Sequence, residues 1–85
     1  MTYEEARKKA EQILEKAGVP DASLDAWYLL EYALQKVEKK ETGRTWYLLN
    51  RQENILPGTL AYYQELVTER KQRIPLQHLT GEQEV

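Results

Sequence analysis

A helical pattern of apolar residues runs through the middle of the chain, in the segment Asp25-Ala26-Trp27-Tyr28-Leu29-Leu30-Glu31-Tyr32-Ala33-Leu34-Gln35-Lys36-Val37. Its apolar face consists of Ala26, Leu29, Leu30, Ala33, Leu34 and Val37. Spacings of three and four residues place these side chains on one side of an α-helix. Because small alanines alternate with leucines, the backbone of another helix can approach closely. The segment therefore predicts a helix within a helical bundle, with Asp21 or Ser23 as its N-terminal cap.

The preceding segment carries the signals of an earlier helix with defined ends. Thr2 and Glu5 have the spacing of a capping box, in which each side chain accepts a backbone N–H of the other residue. An apolar stripe follows, formed by Ala6, Ala10, Ile13, Leu14 and Ala17. Gly18 suits the left-handed conformation past a helix end, and Pro20 prevents continuation. These signals predict helix one over residues 2–17.

A short third helix is predicted after the polar segment 38–41. It covers about residues 43–51, and Thr42 is its candidate cap. The helical period places Trp46 and Leu49 on its inner face, with Leu48 as a further candidate.

A fourth helix begins near Pro57, because the first turn of a helix tolerates the missing N–H of proline. Its predicted buried face consists of Leu60, Tyr63, Leu66 and Val67. The helix ends by about residue 73, since the residue before Pro75 is pushed away from the α region. The sequence thus predicts an all-α fold: a small bundle of four to five helices over residues 1–73 and a short C-terminal linker over residues 74–85.

Size and composition fit a single cytoplasmic domain. The 85 residues are 41% hydrophobic and 31% charged, carry a formal net charge of -2 and include no cysteine. Nucleic-acid binding usually requires a net basic face, and no apolar run approaches the roughly 20 residues of a membrane span. The start of the chain also lacks the apolar stretch of a secretory signal. We expect a cytoplasmic monomer that binds no membrane and makes no direct contact with nucleic acid.

The chain has none of the residue patterns that carry catalysis. His78 is its single histidine and Ser23 its single serine, and they lie far apart in the sequence. One histidine with scattered carboxylates does not have the spacing of a metal site. No glycine-rich loop follows a strand, so no nucleotide-type cradle is predicted. We expect no catalytic, metal-binding or cofactor-binding residue in these 85 residues.

The C-terminal segment resembles a known family motif. It reads Arg70-Lys71-Gln72-Arg73-Ile74-Pro75-Leu76-Gln77-His78-Leu79-Thr80-Gly81-Glu82-Gln83-Glu84-Val85. This segment is similar to the junction of the HemK/PrmC family, where an Arg five residues before a Pro precedes a Pro-Leu-Gln-(His/Tyr)-(Leu/Ile)-Thr-Gly sequence. Upstream, the turn at Gly18-Val19 and the Asp-Ala-x-x-Leu-Leu pattern that begins at Asp25 resemble the same family.

The resemblance implies the function of a larger protein. Members of this family are S-adenosylmethionine-dependent methyltransferases that modify the glutamine side-chain amide in the Gly-Gly-Gln motif of class I peptide release factors. A helical N-terminal domain is joined in them to a catalytic domain with a glycine-rich loop and an Asn-Pro-Pro-Tyr motif. Neither motif occurs in this chain. The resemblance therefore implies a domain that recognises the release factor, contacts its own C-terminal methyltransferase domain, and is inactive alone.

The linker motif by resemblance comprises Arg70, Pro75, Gln77, His78 and Gly81. We expect Arg70 to order the junction by hydrogen-bonding carbonyls at the end of helix four, where a cation suits the helix dipole. Contact with the release factor is the alternative role for this side chain. Pro75 and Gly81 are expected to set backbone geometry. His78 is expected to pack in the turn or to face the catalytic domain.

Two other functions remain open from the residues alone. The first is a free-standing helical adaptor that docks a partner peptide through its aromatic surface. The aromatic residues Trp27, Tyr28, Tyr32, Trp46, Tyr47, Tyr62 and Tyr63 are too many for one thin core, so some are expected to be partly exposed. The second is a nucleic-acid-binding module that uses Lys36, Lys39, Lys40 and Arg44, against which the net charge argues.

Overall fold

The computed structural model describes residues 1–72, and four α-helices make up most of that range. They are α1 (Tyr3–Lys16), α2 (Ala22–Glu38), α3 (Arg44–Asn50) and α4 (Pro57–Lys71). Residues 1–72 contain no strand, although Thr2 and Asn54 form an isolated β-bridge. The predicted all-α class is confirmed. The linker expected over residues 74–85, with Pro75, Gln77, His78 and Gly81, lies outside the described residues.

Helices α1, α2 and α4 build the core, since each packs against the other two. The predicted face of α2 is at most 1% exposed at Ala26, Leu29, Leu30, Ala33 and Leu34. On α4 the predicted face is buried at Tyr63, Leu66 and Val67, and Leu60 is partly buried. The prediction for Val37 was wrong, because this residue lies near Gly58 at the end of the bundle and is 39% exposed.

The N-terminus of α1 is held by side chains and by the loop before α4. The predicted capping box is confirmed: the Glu5 amide donates to Thr2 Oγ1 at 3.1 Å, and the Thr2 amide donates to Glu5 Oε1 at 2.9 Å. The amides of Tyr3 and Glu4 donate to the carbonyls of Glu53 and Arg51, each at 3.1 Å. The loop therefore satisfies backbone donors that the first turn of a helix leaves without partners.

One of the two alternatives for the cap of α2 is confirmed in position only, and the predicted cap of α3 was wrong. Asp21 is the N-cap of α2, but its side chain makes no capping hydrogen bond and Ser23 lies inside the helix. A capping residue normally has extended backbone geometry, whereas Asp21 is left-handed with φ 55°. Gly43 rather than Thr42 is the N-cap of α3, and the Thr42 hydroxyl is buried without a hydrogen-bond partner in residues 1–72.

The inner face of α3 differs from the prediction. Leu48 and Leu49 are 63% and 79% exposed, so their predicted inward orientation was wrong. Tyr47 is the buried residue of this helix, and Trp46 is partly buried as expected. The α3 segment has four apolar residues in a row, and such a run does not define one helical face. Aromatic contacts to α1 and α2 define it instead.

Candidate protein interface

The described residues offer no metal site. No three His, Cys, Asp or Glu side chains in residues 1–72 lie close enough together to hold a metal ion. None of the helices in this range is long and apolar enough to cross a membrane. The two most buried carboxylates of the described ion pairs, Glu38 and Asp25, are engaged by neighbouring donors instead.

Glu38 joins three helices at one end of the bundle. Its carboxylate accepts a hydrogen bond from Thr59 Oγ1 at 2.7 Å and from the Tyr3 hydroxyl at 3.3 Å, and pairs with Lys40 Nζ at 3.3 Å. Burial, together with the adjacent Glu38 carboxylate, raises the pKa of Tyr3 to about 12. Because donors surround this carboxylate, its role is to stabilise the fold.

A second buried carboxylate fixes the end of α4 against the start of α2. Arg70 Nε donates to Asp25 Oδ2 at 2.8 Å, and the two side chains are 17% and 11% exposed. About two turns earlier in α4, the Tyr63 hydroxyl donates to the Ala26 carbonyl at 2.7 Å. The sequence did not indicate Asp25 as a partner for Arg70. A signal was present, however, because a carboxylate at the edge of a buried stripe requires a compensating donor.

A concave surface with an aromatic floor lies between α1, the start of α2 and α3. It is a groove of about 460 Å³, lined by Arg7, Asp21, Ser23, Leu24, Trp27, Arg44, Tyr47 and Leu48. Trp27 and Tyr47 form its floor, with ring centroids 5.2 Å apart in an edge-to-face arrangement. Leu24 and Leu48 belong to its lining and are 39% and 63% exposed. We call this surface the aromatic groove.

Two guanidinium groups flank the floor of the aromatic groove. Arg7 Nε donates to the Tyr47 hydroxyl at 3.0 Å, and its Nη1 pairs with Glu11 at 3.1 Å. Although burial opposes the charged form, these two partners raise the pKa of Arg7. The guanidinium of Arg44 lies 6.0 Å from the centre of the Trp27 ring. Within residues 1–72 Arg44 forms no ion pair, so its charge is available to a partner.

A second groove runs between α1 and α4. Its volume is about 330 Å³, and its lining includes Ala6, Ala10, Ile13, Leu60, Tyr63 and Val67. The lining also includes one basic side chain, that of Lys9. The groove between α1 and α4 therefore offers an apolar surface, but it lacks the paired aromatic rings and guanidinium groups of the aromatic groove.

Three of the four basic residues considered for nucleic-acid binding lie beside three different aromatic rings. Lys40 pairs with Glu38 and lies 5.6 Å from the Trp46 ring, whereas Lys36 lies 5.5 Å from the Tyr32 ring. Arg44 instead flanks the aromatic groove. The expectation that some aromatic residues are partly exposed is confirmed, since Tyr28 is 44% exposed.

Residues 5–81 match the family model of the PrmC N-terminal domain. This match covers most of the chain, including the aromatic groove and the Asp25–Arg70 pair. The chain belongs to the PrmC N-terminal domain family. It is also 42% identical over 71 residues to the release factor glutamine methyltransferase of Deinococcus radiodurans. That alignment covers 84% of this chain and 23% of the relative. No solved structure matches the chain.

The structure joins two positions from separate sequence patterns that resemble the HemK/PrmC family. Asp25 begins the Asp-Ala-x-x-Leu-Leu pattern, and Arg70 stands five residues before Pro75. The structure brings these two positions, 45 residues apart, into one ion pair. Pro75, Gln77, His78 and Gly81 lie beyond the described range.

Proposed function

We propose that this PrmC N-terminal domain recognises a class I peptide release factor for methylation of the glutamine side-chain amide in its Gly-Gly-Gln motif. The methyl transfer itself belongs to a methyltransferase domain of the same protein, reached through a linker at residues 74–85. The observation that carries this proposal is the family match over residues 5–81. The name of the Deinococcus radiodurans relative supports the choice of substrate.

The geometry of residues 1–72 supports a binding role over a catalytic one. The two most buried carboxylates of the described ion pairs are engaged in structural contacts, and residues 1–72 contain no cluster of metal-binding side chains. The aromatic groove instead combines Trp, Tyr and Arg, the residue types that dominate binding energy in protein interfaces. We therefore assign substrate contact to this domain.

We expect S-adenosylmethionine to bind outside the described residues. A cradle for such a cofactor is normally built on a glycine-rich turn between a strand and a helix. Residues 1–72 form no strand, and Gly18, Gly43 and Gly58 stand in three separate turns or helix starts. We place the cofactor in the methyltransferase domain and expect the 85-residue chain to show no saturable binding of S-adenosylmethionine by calorimetry.

A comparison of two proteins tests the proposed function. The complete gene product and a version that lacks residues 1–72 are assayed for methyl transfer to a class I release factor. The shortened protein should retain S-adenosylmethionine binding but show a KM for the release factor raised at least tenfold. A release factor whose Gly-Gly-Gln glutamine is replaced by alanine is the substrate control. Equal KM values for the two proteins would show that this domain does not recognise the substrate.

The alternative is a free-standing helical adaptor, which the aromatic groove also supports. The reading frame downstream of Val85 separates the two functions. A frame that continues into a glycine-rich loop and an Asn-Pro-Pro-Tyr motif supports the methyltransferase. A stop codon directly after Val85 supports the adaptor.

A further inference from the structure

We infer that the aromatic groove is the docking surface for the release factor, and that it accepts a segment with an apolar side chain next to a carboxylate. This inference rests on the proposed function and adds the place and the chemistry of the contact. The apolar side chain enters between Leu24 and Leu48 and reaches the edges of the Trp27 and Tyr47 rings. The carboxylate pairs with Arg44.

The apolar part of this assignment follows from exposure. Leu48 and Leu24 are 63% and 39% exposed on different helices, and both line the same concavity. Single exposed leucines are ordinary on protein surfaces. Two that line a groove with an aromatic floor have the arrangement of an interface core, in which anchor side chains fill pockets that exclude water.

The charged part follows from the unequal engagement of the two arginines. Glu11 compensates the charge of Arg7, and the Tyr47 hydroxyl fixes the position of its guanidinium. Arg44 is exposed and has no ion-pair partner among residues 1–72. Asp21 is the single acidic residue in the lining and forms no ion pair with Arg44 among residues 1–72, so the guanidinium of Arg44 is the charge of the groove that a partner can pair with. A carboxylate on the incoming segment complements that charge.

The floor of the groove favours a protein over a single-stranded nucleic acid. Proteins that bind single-stranded nucleic acids let the bases stack on the open faces of aromatic rings. Trp27 and Tyr47 are each only 9% exposed, and the guanidinium groups of Arg44 and Arg7 lie over their respective rings, so neither ring offers an open face. The formal net charge of -2 over the whole chain also opposes a polyanion.

The two tryptophans of the chain make the inference directly measurable. Trp27 lies in the floor of the groove, whereas Trp46 contacts Tyr3 and Lys40 outside the groove lining. In the isotopically labelled 85-residue chain, each indole N–H gives its own nuclear magnetic resonance signal. Titration with a class I release factor should shift the Trp27 signal and leave that of Trp46 nearly unchanged.

Matched variants give the affinity test. Leu48→Asp and Arg44→Glu should each raise the Kd for the release factor at least tenfold. The control for Leu48→Asp is Leu49→Asp, which introduces the same charge on the neighbouring exposed residue of α3. The control for Arg44→Glu is Lys8→Glu, which makes the same charge reversal on an exposed residue outside the groove lining. Both controls should stay within twofold of the unaltered chain. Urea midpoints of all variants verify that the bundle remains folded.

The possible failures point to different errors. If the unaltered chain binds the release factor but Leu48→Asp and Arg44→Glu bind equally well, the groove assignment is wrong and the proposed function stands. If the unaltered chain does not bind the release factor, the proposed function fails and the assignment with it. A third outcome is that the unaltered chain binds single-stranded RNA and the Arg44→Glu variant does not. The groove would then bind a nucleic acid, and the inference would be overturned.

Discussion

The Asp25–Arg70 ion pair should contribute measurably to the stability of the bundle. The perturbation is a double-mutant cycle built from Asp25→Asn, Arg70→Met and the combined variant. Asn keeps the size of the Asp side chain, and Met keeps much of the aliphatic stem of Arg. The cycle therefore isolates the interaction between the carboxylate and the guanidinium from the packing around them.

The expected magnitude follows from the geometry of the pair. The side chains are 17% and 11% exposed, and the N–O distance is 2.8 Å. Exposed pairs contribute about 0–1 kcal/mol, and hydrogen bonds to charged groups about 1.5–3 kcal/mol. Because this pair is mostly buried but lies near the surface, we expect a coupling energy of about 1–2 kcal/mol. Asp25→Asn should cost somewhat more than Arg70→Met, since Asp25 also lies in the first turn of α2, where a negative charge suits the helix dipole.

Urea unfolding followed by circular dichroism measures all four proteins of the cycle. The control is the same cycle at Glu4 and Arg51, a pair at 3.3 Å whose side chains are 22% and 46% exposed. Solvent screening should reduce that coupling to about 0.5 kcal/mol or less. The reasoning would be refuted if the losses of unfolding free energy in Asp25→Asn and Arg70→Met summed to the loss in the combined variant within about 0.3 kcal/mol. The pair would then not hold the end of α4 to α2.

Three other substitutions test the core, the helix start and the buried phenol. Leu30→Ala should lower the free energy of unfolding by about 2–5 kcal/mol, because Leu30 is 0% exposed; an unchanged urea midpoint would contradict its place in the core. Thr2→Ala should cost about 1 kcal/mol through loss of the capping box, whereas Thr2→Ser should retain most of that stability. Tyr3 has a pKa raised from 10.0 to about 12, so its contribution is complete below pH 10 and is lost as the pH rises to 12. Tyr3→Phe should therefore flatten the decline of stability over that range, and identical pH profiles would show that Glu38 and burial do not protect the phenol. Burial also raises the pKa of Tyr63. Part of the loss of stability at high pH should therefore remain in Tyr3→Phe, because Tyr63 contributes to it.

Local signals explain why the helices of this domain were predictable. Some helix ends are determined by residues that are close together in the sequence. These are the capping box at Thr2 and Glu5, the left-handed Gly18 and the proline at the start of α4. The long stripe of α2 has a single helical period, so its spacing alone identifies most of the buried face, with Val37 as the exception. For this reason the fold class, the four helices and most of the core follow from the sequence.

The functional surfaces depend on contacts that no local pattern encodes. Asp25 and Arg70 are 45 positions apart, and their pairing arises because α2 and α4 pack side by side. The face of α3 is likewise decided by Trp27 and Arg7, which hold Tyr47 inward and leave Leu48 in solvent. Hydrophobicity alone favours Leu48 over Tyr47 as a candidate for the core. The packing of three helices decides between them, because a short helix has too little apolar periodicity to orient itself.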